Sequence, residues 1–402
     1  MRIAVVGAGI AGLAVAVAVA RFADVDTVVF ERHKSIRPGL GLAVNLAPNG
    51  MRVLDQLGLA DTVIEQGCVL RNWEMGFSNG KILTRFPLRF EQDFGYPMVA
   101  IRRELVIDIL RDAAVGAGAG LRFGCEVSGI EQRTGGARIG FVDGSAECAD
   151  VVAACDGARS TIKQQLFGGR PALRTGQGQS FGISRPGGDI ALLRDTFLIR
   201  FGSGRYFGGY DIGHGEALWF VGYNIGGRVR LGASRDLTAH YPLPVVRRFA
   251  TGWDPPVPQV IDSTVTFGAR ASEHRPPPRT MTQGRVVLLG DAGHPVQNFF
   301  GQGANLALED AITFARLLDE RRHVGHTDGV DRALAAYDRI RLPRRVAVAE
   351  YSRQLGIRYH WTNPVKRWAR TRYLGHLGTG ILDSAAWIYQ DDQRTAPLGR
   401  HS

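Results

Sequence analysis

The chain is poor in the residues that most often announce a mechanism. Its 402 residues hold four cysteines, Cys68, Cys125, Cys148 and Cys155, with no paired metal-ligand spacing and no small secreted framework. They are expected to be reduced, mostly buried thiols of a cytoplasmic protein. No HExxH or CxxC pattern occurs, so no metal site and no dithiol chemistry are expected. No uninterrupted apolar run reaches the length of a membrane-spanning helix. A strand begins at residue 2, so no signal or transit peptide is expected either. Lysine is scarce: only four of the 49 basic residues are lysine, and the arginines are scattered. The net charge of +11 therefore reads as compositional bias, and no nucleic-acid partner is expected.

Glycine is abundant, at 52 residues, so a bare GxGxxG string carries little weight. Here its context carries it. Gly7-Ala8-Gly9-Ile10-Ala11-Gly12 follows the apolar run Ile3-Ala4-Val5-Val6 and opens an Ala/Val-rich helix from Ala11 to about Arg21. A second strand, Thr27-Val28-Val29-Phe30, ends on Glu31, at the spacing expected of an acid that bonds a ribose hydroxyl. Gly7 permits a tight turn, Gly9 lets backbone approach phosphate, and Gly12 lets helix pack on strand. The helix N-terminus adds free N–H groups and positive dipole. Near the other end, Val286-Val287-Leu288-Leu289 runs into Gly290-Asp291-Ala292-Gly293-His294-Pro295 and then Gly301-Gln302-Gly303-Ala304-Asn305. The first motif suits a dinucleotide pyrophosphate, the second the far end of a flavin dinucleotide.

The expected fold class is α/β. A Rossmann-type FAD-binding domain carries an inserted antiparallel β-sheet substrate domain and a helical C-terminal segment. The FAD-binding domain is assigned to 1–71, 95–171 and 272–330, the substrate domain to 72–94 and 172–271, and the helical segment to 331–402. A Gly/Pro/Asn-rich loop is expected over 37–49, strands around the turn Asn79-Gly80, a helix over Arg103–Gly116, and a helix from Gly303 to about Glu320. The tail is expected to be helical, broken near Leu342-Pro343 and at Asn363-Pro364. Its amphipathic last part, from Lys366 to Ile388, is expected to pack on the body and not on a membrane.

Three patterns stand in order: GxGxxG with Glu31; Asp150 to Ser160, containing Asp156-Gly157; and Gly290 to Ala311. This order resembles the single-component FAD-dependent aromatic hydroxylases, the family of para-hydroxybenzoate hydroxylase and salicylate hydroxylase, over roughly residues 2–320. The resemblance implies non-covalent FAD, with NADPH or NADH as co-substrate. Gly7, Gly9, Ile10, Ala11 and Gly12 would hold the pyrophosphate, Glu31 and Arg32 the adenosine side, and Val127 the adenine through its backbone. Arg102 would reach the phosphate side, Val44 would be a further cofactor contact, and Asp156 belongs to the second nucleotide motif. Asp291 would bond the ribityl region. Gly301, Gly303, Ala304 and Asn305 would present backbone N–H groups to the pyrimidine ring, where a helix dipole stabilises reduced flavin.

The implied reaction inserts one oxygen atom of O2 into an aromatic or polycyclic small molecule by way of a flavin C4a-hydroperoxide. The flavin carries the hard chemistry, so no triad is expected. Asn298 stands where the family usually has proline and is the expected first contact at the flavin face. Arg185, Tyr210, Tyr223 and Phe299 are the candidate substrate contacts. A flavin-dependent reductase or dehydrogenase on the same fold, without oxygen transfer, is the alternative reading.

Overall fold

The computed structural model describes residues 1–23, 25–36, 42–168, 171–186, 193–225, 242–322, 326–378 and 380–390. The first part of the expected loop, residues 37–41, and residues 391–402 of the expected helical segment lie outside them; the rest of that loop is instead the strand Ala43–Leu46 and the start of the helix Pro48–Gln56.

The N-terminal motif begins with the strand Arg2–Val6, the helix Ile10–Phe22 and the strand Asp26–Glu31. Alternating Ala and Val leave that helix no polar face, so it is buried almost all round, from Ile10 to Val19. It packs between the helices Arg103–Gly116 and Gly303–Arg322. The six-stranded sheet runs in the order Thr282–Gln283, Val286–Leu288, Val151–Ala154, Arg2–Val6, Asp26–Glu31, Gly120–Phe123. Every pair is parallel except the first. Three loops, after Val6, Ala154 and Leu288, therefore leave the same carboxyl edge, the edge at which open α/β sheets bind ligands. The two chain ends named by the motifs meet there: a Cβ on Gly290 would lie 2.7 Å from the Ala11 methyl.

A second sheet of seven strands runs Thr264–His274, Leu173–Ser184, Ala217–Asn224, Arg205–Asp211, Thr196–Phe201, Asn72–Phe77, Ile82–Pro87. The hairpin around Asn79-Gly80 thus joins the strands of 173–274 in one sheet, through a parallel pairing of Thr196–Phe201 with Asn72–Phe77. Strand alternation gives this sheet two unlike faces. One carries Trp73, Phe197, Tyr206 and Tyr210 and packs toward Phe299, Phe300 and the C-terminal helices. The other carries Trp219, Val221 and Tyr223 and is covered by the helices Leu243–Ala250 and Val257–Asp262.

Two expectations are corrected here. The tail does not break at Pro343: one helix, His326–Tyr359, runs through it and across the expected boundary at residue 330. Proline removes one helical N–H bond, but its neighbours Arg341, Arg344 and Arg345 are locked into ion pairs with Glu309 and Asp310 of the helix Gly303–Arg322. Those pairs hold the helix on both sides of the defect. The break at Asn363-Pro364 does occur: the Asn363 side chain caps the helix Pro364–Leu377 by accepting the Lys366 N–H. The cysteines are also less buried than expected. All four are free thiols, but only Cys155 is buried, and Cys148 is exposed.

The tail's last described turn, Ala386–Tyr389, docks on the body. Ile388 and Tyr389 are buried, and their carbonyls accept from Arg344 and Arg52 at 2.8 and 3.2 Å. No described helix is long and apolar enough to cross a membrane.

Glu309, Asp310, Arg341 and Arg345 are fully buried and pair with one another, and Arg344 adds a further guanidinium to Glu309. Burial raises the Glu309 pKa, but Arg344 and Arg341 outweigh it and hold the carboxyl at about 2. Asp310→Ala is expected to lower the unfolding free energy by about 3–5 kcal/mol, because it leaves the buried Arg345 guanidinium without its carboxylate and takes one of two carboxylates from Arg341. Denaturant titration checks this; a loss under ~1 kcal/mol would contradict the role given to the cluster. The Glu309 contribution is full above the ordinary carboxyl pKa and is lost as pH falls through about 2.

Candidate active site

The pyrophosphate loop is built as its glycines require. Gly7 has φ of +103°, and a Cβ there would sit 2.6 Å from the Cys155 carbonyl oxygen. A Cβ on Gly12 would lie 1.9 Å from the Gly7 carbonyl oxygen, so the helix can pack on its own turn only without a side chain. Gly9 has no protein atom within 4 Å of its Cβ position, which leaves room for a ligand. No side chain caps the helix that follows, so its N-terminal N–H groups stay available. Glu31 reaches back into this loop: its carboxylate accepts from the Ala8 and His33 N–H groups at 2.9 and 3.0 Å. Ile10 is buried, Ala11 half-buried against Gly290, and Arg32 exposed. Val127 lies half-buried at the start of the strand Val127–Arg133.

Asp156 follows the strand Val151–Ala154. One carboxylate oxygen accepts the Thr161 N–H at 2.9 Å, while the other is buried with no hydrogen-bond partner among the described residues. Burial raises its pKa.

The Gly290-Asp291 turn is held from behind. Gly290 has φ of +58°. Its N–H donates to Asp310 at 2.9 Å, and its carbonyl accepts from Arg345 at 2.8 Å. Arg345 also donates to the His294 carbonyl at 2.8 Å. His294 is buried, and burial together with Arg345 and Lys163 pushes its pKa down to about 3, so its imidazole is neutral. Asp291 itself is exposed and faces three cations. Its charge acts on Arg103, Arg270 and Lys163. Burial lowers the Lys163 pKa to about 8, and its Nζ donates to the Gly293 carbonyl at 2.7 Å.

The helix Gly303–Arg322 starts beside this turn. Its first backbone bond runs from the Leu306 N–H to the Gln302 carbonyl, so the N–H groups of Gly303, Ala304 and Asn305 precede the ladder. Asn305 is fully buried and fastens the helix start: its amide accepts from Ala47 N–H at 2.9 Å and donates to the carbonyls of Asn45 and Gly301 at 3.1 Å. Val44 lies in the strand this amide holds, Ala43–Leu46. A Cβ on Gly301 would meet the Asn45 side chain at 2.3 Å.

The structure moves several expected side chains. Arg102 is turned away from the Gly290-Asp291 loop and pairs with Glu104 and Glu216. The next residue, Arg103, faces Asp291, and its buried Nε has no hydrogen-bond partner among the described residues. Arg185 is exposed and pairs with the same Glu216 at 2.9 Å, one end of the sheet away from Asn298. Tyr223 lies on the far face, its hydroxyl 3.1 Å from that of buried Ser180, because strand parity opposes it to Tyr206 and Tyr210. Tyr210 is on the near face but packed into rings, 4.9 Å from Phe197 and 6.4 Å from Phe220. Phe299 lies edge-on to His360 at 5.5 Å. The string Gly178-Gln179-Ser180-Phe181-Gly182 matches the GxSxG nucleophile pattern, but it lies inside the strand Leu173–Ser184 with Ser180 buried, so it forms no elbow.

Asn298 is exposed and donates its amide N–H to Gln179. Gln179 in turn donates to the Tyr206 hydroxyl at 3.3 Å. Tyr206 is buried, and burial raises its pKa, so the phenol stays protonated. His360 meets Tyr206 edge-on at 5.3 Å. Sequence reasoning placed Asn298 at this surface but missed Gln179, Arg270, Arg103 and His360. Only the alternation of 173–184 signalled that Gln179 shares a face with Phe181.

These residues fit FAD. The orphaned Asp156 oxygen, the space over Gly9 and the open helix start at Ile10 lie at the carboxyl edge of the six-stranded sheet, and the Gly290-Asp291 turn at that edge adjoins the helix start at Gly303 and faces Arg103. Two substitutions separate cofactor contact from packing. Gly9→Ala is expected to leave apoprotein stability within ~1 kcal/mol but to weaken FAD binding at least about tenfold. Gly12→Ala is expected to destabilise the apoprotein itself, since its Cβ meets backbone. Thermal melts and FAD fluorescence titrations read both; equal behaviour of the two variants would contradict the geometry.

Comparisons with known proteins agree. The family described as FAD binding domain matches residues 1–182 and 261–352. The chain is 32% identical to 3-amino-4-hydroxybenzoate 2-monooxygenase of Streptomyces cremeus, over 99% of this chain and 96% of that one. It is 30% identical to FAD-dependent urate hydroxylase of Klebsiella pneumoniae, over 81% of this chain and 83% of that one. Klebsiella pneumoniae HpxO complexed with FAD and uric acid superposes with a TM-score of 0.85 at 25% identity, covering 99% of this chain and 98% of that chain. A salicylate hydroxylase substrate complex shares the fold, with a TM-score of 0.78 at 22% identity over 98% of this chain and 96% of that chain. The chain belongs to the FAD-binding family of single-component aromatic monooxygenases.

Proposed function

We propose that this protein uses NADPH or NADH and O2 to insert one oxygen atom into an aromatic small molecule. The observation that carries the reading is the contact of Asn298 with Gln179, which brings the flavin motif against the aromatic face of the seven-stranded sheet. FAD, when bound, supplies the redox chemistry that divides O2 between substrate and water.

The chain's own residues do the rest. Gly7, Gly9, Gly12 and the helix start at Ile10 take the pyrophosphate, with Glu31 holding the loop and facing the ribose. Arg103 takes over the phosphate-side role expected of Arg102, because Arg102 is committed to Glu216. The N–H groups of Gly303 and Ala304 face the electron-rich end of the flavin ring, where the helix dipole favours negative charge. Asn298 and Gln179 position the substrate ring, while Phe299, Tyr206 and Phe181 wall it and exclude water. The relatives' names point to hydroxylated, nitrogen-bearing or acidic aromatic rings.

The test follows the flavin absorption band as NADPH is added, with and without candidate aromatics. A bleach accelerated by one compound, with oxygen uptake and a product one oxygen heavier, is the expected result. A flavin reduced alike with every compound, and no oxygen in any product, would favour the reductase reading. Asn298→Ala is expected to keep FAD bound while raising the hydrogen peroxide released per NADPH consumed; unchanged peroxide and product yields would remove Asn298 from the site.

A further inference from the structure

Arg270 is the charged group of this site that no motif announced. It lies on the strand Thr264–His274, directly opposite Gln179 in the antiparallel ladder, so the two side chains share the face turned to the flavin motif. Its guanidinium stands over the Phe181 ring at 5.7 Å, which fixes its direction. It is exposed, yet the surrounding protein and Arg103 lower its pKa while Asp291 raises it, the situation of a side chain lining a deep cleft. No hydrogen-bond or ion-pair partner is found for it among the described residues. Arg102 and Arg185, by contrast, are both paired with Glu216. A fixed guanidinium with its five donors free, beside an amide and a phenol, is a receptor for a planar anion.

We propose that Arg270 reads a carboxylate on the aromatic substrate, with the Gln179–Asn298 pair and Tyr206 arranged around the ring that carries it. The substrate class is thereby an aromatic acid, not a neutral polycycle. This inference rests on the monooxygenase reading for its substrate but is tested by binding alone. The carboxylate would pair bidentately with Arg270 on the side of the cleft away from Gly303, leaving the ring between Phe299 and the sheet. Asp291, exposed on the same cleft, disfavours the anion at its own side and so sets the ring's direction.

The experiment titrates the FAD-loaded protein, without reductant, with two acid–amide pairs: 3-amino-4-hydroxybenzoate against 3-amino-4-hydroxybenzamide, and salicylate against salicylamide. The flavin absorbance change reads occupancy. At least one acid is expected to bind about ten- to a hundredfold more tightly than its amide, the range of a charge-assisted bidentate pair. Arg270→Gln is expected to bring acid and amide within about twofold of each other, with FAD content and melting temperature unchanged, and Arg270→Lys to restore part of the preference. The proposal is overturned if wild-type protein treats acids and amides alike or binds neither, or if Arg270→Gln keeps the preference. It is also overturned if Arg270→Gln loses FAD, which would make Arg270 a cofactor ligand. Failure of the monooxygenase reading is seen separately, as the absence of oxygen in any product while acids still bind.

Discussion

The buried ion cluster between the helices Gly303–Arg322 and His326–Tyr359 is the interaction on which the site depends. Asp310 and Arg345 do two jobs at once. They neutralise each other out of reach of bulk solvent, and they hold the two backbone groups of Gly290. Gly290 is thereby pressed on Ala11, the first helix's entry turn. The pyrophosphate end and the flavin end of the site are thus one mechanical unit. Glu309 extends it, accepting from Asn49 at 2.6 Å and from Arg344, which reaches the tail at Ile388. A buried cluster of this kind is weak evidence for stability, since apolar residues could fill the space as well. Its use here is geometric: it sets where a left-handed turn and a helix start sit relative to a glycine loop 280 residues away in the chain.

The substrate side follows from strand parity. One face of the seven-stranded sheet meets the flavin motif and the other is sealed by two short helices. Parity divides the tyrosines accordingly, Tyr206 and Tyr210 to the site face and Tyr223 to the sealed one. It also puts Gln179 and Arg270 side by side in front of Asn298. Position along the strand then separates Tyr206 from Tyr210: Tyr206 pairs with Gly222 at Gln179's level, whereas Tyr210 pairs with Leu218, four residues further down. Only the first is joined to Asn298 by hydrogen bonds.

The motifs were legible because each acts over a few residues. The turn at Gly7, the helix start at Ile10, the acid at Glu31 and the capped break at Asn363 all lie where spacing puts them. Proline at 343 misled because its cost is local while its remedy, three arginines on two acids, is tertiary. Arg102 and Arg103 were not distinguishable in sequence, since adjacent residues point in different directions and only Glu216, more than a hundred positions away, decides which one is taken.

By itself the sequence determined the order of the nucleotide elements, the glycines that cannot carry a side chain, and the class of cofactor, because backbone conformation and helix starts are local properties. The tertiary structure decided which side chains face the cleft. Asp291 among its cations, Gln179 between Asn298 and Tyr206, and Arg270 opposite Gln179 are products of sheet register and of charges brought together from distant segments. Register is set by how whole strands bury their apolar faces, and no short window of residues contains that information.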